Sequence, residues 1–420
     1  MKLQIKTLSP IHIGNGEKYN GLSYIGDNGE IRFYDSAKIL ENITSQYSKR
    51  FMEWVEQKSF EVERLEKQKR NERDDQKRKN INYDLRNVQR KLSLKEFSEN
   101  VIRDSIIRGK FSKNFLYTID SKTQVYDNVD IDCFIKQNNK PYIPGTEIKG
   151  AIRTCAIYNL LQKDKYWKWL KQEIEHFKRR HESDLQQVPD KKGKWVNDIK
   201  KKLVDSMGKI EERLQAKLLR ADQNNDAKYD LLKLLCIGDS ELKEPKDCLF
   251  ISNLEVKGIN RGFPIFQELC KKDQIFTCQG FKLDSNHTIL DRLGFSDEQK
   301  QVVSDVRNLF RCCYEFSNRL LDEEIVYQQY SSKIKERLNA IKNENKPDSP
   351  VIRIGKNEGY LSLTVGLIVK DKDRALYDNV LCHATKNTSY TGNFPKTRRI
   401  VNLGNGDVDT CGWVKLTKID

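Results

Sequence analysis

Between Pro141 and Arg153 the chain reads P-Y-I-P-G-T-E-I-K-G-A-I-R. Two prolines and a glycine stop any regular element. A helical pattern then begins abruptly, with Thr146 placed to cap it and Glu147 in its first turn. Ala151, Ile152, Ala156, Ile157, Leu160 and Leu161 continue it as an apolar stripe. Lys149, Gly150 and Arg153 fall in the first turns, and Lys149 and Arg153 are four apart on one face. Unpaired backbone N–H groups, the positive end of the helix dipole and two cations would converge there, which suits a phosphate group. Gly145 and Gly150 would let a ligand approach the backbone. A plain turn followed by a capped helix has the same local sequence and needs no ligand.

Three more segments carry candidate chemistry. His12 lies in L-S-P-I-H-I-G-N-G, from Leu8 to Gly16, with Gly14 and Gly16 close behind. Gly355, Lys356 and Gly359 belong to a G-K-N-E-G loop. Lys396, Arg398 and Arg399 follow Phe394-Pro395 and place three cations in four residues. Histidine can serve general acid–base cleavage, but that chemistry needs a partner base or cation. No such partner for His12 is identifiable, so a structural histidine is the simpler assignment. Asp35 and Asp130 pose the same question without an answering motif.

The elements that must hold these residues come from a chain of 420 residues, long enough for two or three domains. Lys and Arg number 76 against 61 Asp and Glu, a formal charge of +15 that favours a polyanionic partner, nucleic acid first. A membrane surface fits less well, because no amphipathic anchor stands out. No apolar run is long enough to span a bilayer, and the start M-K-L-Q-I-K-T-L alternates as a strand does. A cytoplasmic protein is expected. The ten cysteines are scattered without a C-x-x-C pair, so neither a structural zinc nor any other cofactor is expected.

Residues 2–8 form a first strand in this reading. Asp27-Asn28-Gly29 separates two apolar runs as a hairpin turn does. Ser36 is placed to cap a short helix. From about 49 to 110 the chain turns helical, and the run from Glu61 to Lys79 is almost wholly charged or amide, as in a solvated helix or a disordered link. Residues 115–137 suggest a long hairpin leading into the Pro-Gly-Thr loop. A second charged helical insertion spans 163–230, with Trp167, Trp169, Phe177 and Trp195 expected to pack on the domain. Strands resume after 232. Helices follow at 297–321 and 322–343, and Gly412 to Leu416 is a closing strand.

The Pro-Gly-Thr-x-x-Lys-Gly-Ala-x-Arg segment resembles the loop of the RAMP proteins, the repeat-associated subunits of CRISPR effector complexes. With the N-terminal L-S-P-I-H-I-G-N-G and the C-terminal F-P-K-T-R-R-I-V and G-W-V-K-L, in that order, the chain is similar to the fifth RAMP subunit of the type III-A (Csm) complex. The resemblance implies an α+β fold of two ferredoxin-like (RRM-like) domains, 1–235 and 236–420, with helical insertions at 49–110 and 163–230. It implies a non-catalytic subunit that binds CRISPR RNA (crRNA) at the 3′ side of the complex, serves crRNA maturation and antiviral defence, and touches a neighbouring backbone RAMP subunit. Host ribonucleases are further implied partners. His12, Gly14, Gly16, Gly145, Thr146, Lys149, Gly150, Arg153, Gly355, Lys356, Gly359, Lys396, Arg398 and Arg399 are the implied RNA contacts. The alternative is an endoribonuclease that trims precursor crRNA, with His12 at its centre. The G-K-N-E-G loop departs from the denser glycine spacing of the family.

Overall fold

The computed structural model describes residues 1–187, 194–221, 226–258, 264–284, 287–384 and 394–419. Strand β1 (Lys2–Thr7) buries Leu3, Ile5 and Thr7 on one face, as its alternation requires. Strands β2 (Gly14–Tyr19), β3 (Tyr24–Asp27) and β4 (Glu30–Phe33) follow. β3 and β4 are joined by Asn28 and Gly29, both at positive φ (48° and 82°), the hairpin turn expected from the sequence. Two long helices, α1 (Ser45–Asn71) and α2 (Asp75–Lys91), form the first insertion. The charged run is therefore helical, interrupted only at 72–74, where Asp74 caps α2.

Next come β5 (Tyr117–Ser121), β6 (Ile131–Phe134) and helix α3 (Gly145–Leu161). Helices α4 (Asp164–Arg180) and α5 (Lys194–Leu219) make most of the second insertion. Residues 188–193 and 222–225 of that insertion lie outside the described residues. Trp167 and Trp169 pack against the main core and Phe177 is buried in it, whereas Trp195 is 44% exposed. Strands β7 (Leu249–Lys257), β8 (Ile265–Cys270) and β9 (Ile275–Cys278) precede helices α6 (Val306–Ile325) and α7 (Ser332–Glu344). Strands β10 (Val351–Arg353), β11 (Arg398–Gly404), β12 (Asp407–Asp409) and β13 (Trp413–Ile419) close the fold.

Two main sheets result, so the fold mixes helix and sheet. The smaller has the order β9-β1-β13-β10 and is antiparallel throughout. The larger runs β2-β6-β8-β7-β5-β4-β3, with β11 also on β7 and β12 on β11. Residues 115–137 do not form a hairpin. The β7–β8 hairpin inserts between β5 and β6, pairing parallel with each of them. Both sheets take strands from either side of residue 235.

One apolar cluster joins both sheets to α3 and α6, where Tyr158 and Phe316 meet edge to face at 5.1 Å. Smaller clusters lie under the first insertion (Ile25, Tyr34, Phe97) and inside its hairpin (Leu65, Leu85, Val88). The expected caps shift slightly. Asp35, one residue before Ser36, accepts from the Lys38 N–H. Thr146 is a helical residue, not a cap. α3 begins at Gly145, whose N–H donates to Asp239 Oδ1 at 2.8 Å, so the cap comes from a distant loop.

Candidate nucleic-acid interface

Three segments far apart in sequence line one groove of about 530 Å³: His12, Gly14 and Gly16 from the start of the chain, Thr146 and Gly150 from α3, and Gly355 and Lys356 from the G-K-N-E-G loop. The backbone forces the convergence. The Lys356 N–H donates to the His12 carbonyl at 2.9 Å. Gly355 sits at φ +89°, and a Cβ there would stand 2.3 Å from the same carbonyl, so only glycine fits. The closing strand is tied in as well: the Gly412 N–H donates to the Pro10 carbonyl, and that of Leu8 to Trp413.

His12 does not open to the groove as a free base. Its ring is 2% exposed. Nδ1 lies 2.7 Å from the Glu268 carbonyl, so the neutral ring donates there and leaves Nε2 as an acceptor, for which no partner lies among the described residues. Burial lowers its pKa, which keeps the ring neutral. Glu268 is itself pinned: it takes hydrogen bonds from the Tyr117 hydroxyl and the Phe134 N–H, both at 2.7 Å, and pairs with Lys136.

The face of α3 toward the groove is Thr146, Glu147, Gly150, Ala151 and Thr154, mostly small side chains. Gly150 is exposed, with nothing within 4 Å of where a Cβ would stand. Lys149 and Arg153 occupy the neighbouring face and turn away. Lys149 Nζ donates to the Leu235 carbonyl at 2.8 Å, and burial lowers its pKa. Arg153 pairs with Asp230 at 2.8 Å. The structure does not bring these two cations to the groove. Gly145 is buried because the backbone of Ile237 passes 2.1 Å from its missing Cβ. Gly359 is exposed beside the groove at φ +81°.

The C-terminal cations divide. Arg398 is buried and donates to Glu324 Oε1 at 2.6 Å, in a network with Tyr330 and Arg353. Lys396 is exposed. Arg399 is linked to the groove by a chain of side chains. Its Nη1 donates to Asn357 Oδ1 at 3.0 Å, and Asn357 Nδ2 donates to Gln267 Oε1 at 2.7 Å. Gln267 Nε2 and Lys356 Nζ both donate to Asp132 Oδ2 at 2.8 Å.

Four groove carboxylates escaped the sequence reading: Glu17, Asp132, Glu147 and Glu358. Burial pushes Asp132 up, but hydrogen bonds from Lys356 and Gln267 outweigh it and hold the carboxyl below its usual range. Burial raises Glu147. Burial, opposed by Arg353 and reinforced by Glu147, raises Glu358 to about 8. Near neutral pH the groove thus carries a protonated Glu358, an ion-paired Asp132 and a half-exposed lysine, together with the exposed Glu17 and with Glu147. The protonated Glu358 can donate a hydrogen bond to a phosphodiester, and the pairing of Asp132 with Lys356 offsets one of the groove's negative charges. Among the described residues no group of three or more His, Cys, Asp or Glu could hold a metal ion, and no helix is long and apolar enough to cross a membrane.

The sequence profile of the RAMP superfamily matches residues 4–381. The CRISPR system Cms protein Csm5 of Methanocaldococcus jannaschii is 24% identical over 452 aligned positions, covering all of this chain and 89% of its own. The Csm5 of Streptococcus thermophilus is 28% identical over 157 positions, 37% of each chain. Among solved structures, a chain of the cryo-EM Csm-crRNA-target RNA ternary complex of a type III-A CRISPR-Cas system superposes with a TM-score of 0.67 at 20% identity, over 99% of this chain and 100% of that one. The crystal structure of T. onnurineus Csm5 gives 0.58 at 20% identity, over 98% and 99%. At these identities the superpositions speak for the fold.

Proposed function

Because the chain belongs to the RAMP superfamily, we propose that it is a non-catalytic, crRNA-binding subunit of a type III-A CRISPR ribonucleoprotein. One observation carries the proposal: the segments around His12 and Lys356, hydrogen-bonded to each other, meet the start of α3 at Thr146 in one groove with a glycine-lined floor. Small side chains and a lysine hold a phosphate backbone without reading bases, which suits a subunit whose sequence recognition comes from guide pairing. The contacts we assign to RNA are the exposed groove members of the fourteen candidates, namely Gly14, Gly16, Thr146, Gly150 and Lys356, with Gly359 and Arg399 beside them and Lys396 as a further exposed cation, while buried His12 and Gly355 shape the wall. The Csm5 relatives and the Csm-crRNA-target RNA complex support placing the subunit in that assembly; within it we assign the chain to the 3′ side of the crRNA, beside a backbone RAMP subunit. In this role it serves crRNA maturation and antiviral defence in the cytoplasm, with host ribonucleases doing the trimming.

The absence of catalysis is part of the proposal. Cleavage by His12 would need Nε2 within reach of a ribose hydroxyl, and that atom is buried. The fold is proposed as two ferredoxin-like units, centred on residues 1–235 and 236–420, that interlock by pairing β1 with β9 and β13. Purification of the tagged chain from its host, followed by sequencing of the bound RNA, tests the function. Short RNAs sharing a repeat-derived 5′ tag are expected. Recovery of bulk cellular RNA, or of none, would overturn the assignment.

A further inference from the structure

The helical hairpin of the first insertion carries charge of two kinds. On α1, Lys49, Lys58 and Arg70 are paired with Glu53, Glu61 and Glu66 along the helix. The outer face of α2 is different. Lys79, Tyr83, Arg86 and Arg90 recur at spacings of four, three and four, which puts them in one line along the helix. All four are exposed, Tyr83 by 68%. The opposite face of α2 buries Leu85 and Val88 against Leu65, so the line points to solvent. Among the described residues no carboxylate is within ion-pair distance of Lys79, Arg86 or Arg90, and Asp84 lies round the helix, in the cleft toward Arg64 and Lys67.

We propose that this face of α2 is a second RNA-binding surface, separate from the groove. Tyr83 stacks on an unpaired base, while Lys79, Arg86 and Arg90 hold the flanking phosphates. An isolated exposed tyrosine needs no explanation. One flanked on both sides by cations at helical spacing, with Asp75 one turn before Lys79 the acid on that line and in no ion pair among the described residues, matches the aromatic-plus-cation surface that binds single strands without sequence preference. Charge selects the occupant: a line of unneutralised cations complements a polyanion and repels a basic surface. The inference rests on the RNA-binding function proposed above and extends it to the insertion.

The test uses the full chain and a 30-nucleotide single-stranded oligouridylate, with affinity measured by fluorescence anisotropy at several salt concentrations. Tyr83→Ala is expected to weaken binding by roughly tenfold, and Tyr83→Trp to preserve it. The triple variant Lys79→Gln, Arg86→Gln, Arg90→Gln should flatten the dependence of log affinity on log salt by about 2, three phosphates at ~0.7 each. All four positions are exposed, so thermal midpoints should match the parent, and a normal midpoint with lost affinity supports the proposal. Parent affinity and slope in both variants overturn it, as does normal RNA binding combined with failed assembly into the ribonucleoprotein, which would identify an acidic protein as the occupant. Loss of binding on Lys356→Ala but not in the α2 variants leaves the groove function standing and defeats this inference alone. No binding by the parent chain defeats both.

Discussion

Lys356 and Asp132 stand 224 residues apart in sequence, yet Lys356 Nζ lies 2.8 Å from Asp132 Oδ2. The groove's lysine is thus held by an internal carboxylate that an RNA phosphate would have to displace. Asp132→Asn should free the lysine and tighten RNA binding by up to about 1 kcal/mol, the worth of a half-exposed pair. Lys356→Ala should weaken it and reduce the salt slope by about 0.7. Anisotropy titrations of both variants check the pair, and weaker binding by Asp132→Asn would contradict it.

Glu358 gives the pH dependence. Its pKa rises from the usual 4.5 to about 8 on folding, so between those values the folded chain binds a proton that the unfolded chain lacks. This contribution to stability is whole below about 4.5 and is lost as pH climbs toward 8. The same ionisation puts a negative charge in the groove, so RNA affinity should fall as pH passes about 8. Glu358→Gln should flatten both profiles, measured by denaturant melts and by anisotropy from pH 5 to 9.

Gly355 and Gly150 should respond oppositely to alanine. At Gly355 the added Cβ would collide with the His12 carbonyl, in a backbone conformation that side chains avoid. A loss of about 2 kcal/mol or more is expected in a denaturant melt. At Gly150, exposed on a helix with open space around it, alanine should stabilise by roughly 0.5–1 kcal/mol while narrowing the groove. A Gly150→Ala variant that is more stable but binds RNA less tightly is the expected result.

Arg153→Ala is expected to act on folding more than on RNA. It leaves Asp230, only 6% exposed, without its guanidinium, although that carboxylate still caps Leu232. A loss of about 1–3 kcal/mol in stability with an unchanged salt slope is predicted. A reduced slope at unchanged stability would restore Arg153 to the phosphate contacts.

Leu65→Ala should loosen the α1–α2 hairpin alone. Leu65 packs in a small cluster with Leu85 and Val88, apart from the main core. Limited proteolysis should cut between residues 59 and 80 faster, while the main unfolding transition moves little.

The local pattern of the chain carried much of this. The Asn28-Gly29 turn, the α3 stripe from Ile152 to Leu161 and the helicity of the insertions follow from residue types and spacing, because each depends on neighbours within a few positions. The meeting of His12, Thr146 and Lys356 was not legible: the resemblance implied three separate RNA contacts, and nothing local says that Lys356 bonds back to residue 12. Two losses have the same cause. Lys149 and Arg153 share a helix face, as their spacing says, but which face meets the groove is set by the segment from Asp230 to Leu235. Glu147 entered the reading only as a first-turn residue and Glu358 only as part of the G-K-N-E-G loop, and only burial reveals that the pKa of each is raised.

The pairing of β1 with β13 sets a schedule for biosynthesis. Leu3 and Ile5 are wholly buried in the finished sheet, between β9 and β13. At a ribosomal rate of about 5–20 residues per second, roughly 20–80 s separate the emergence of β1 from that of its last partner. Throughout that interval β1 offers an unpaired edge and apolar side chains to whatever else is in the cell. The smaller sheet, and with it the His12 loop that β1 leads into, can be completed only as the final strand leaves the ribosome.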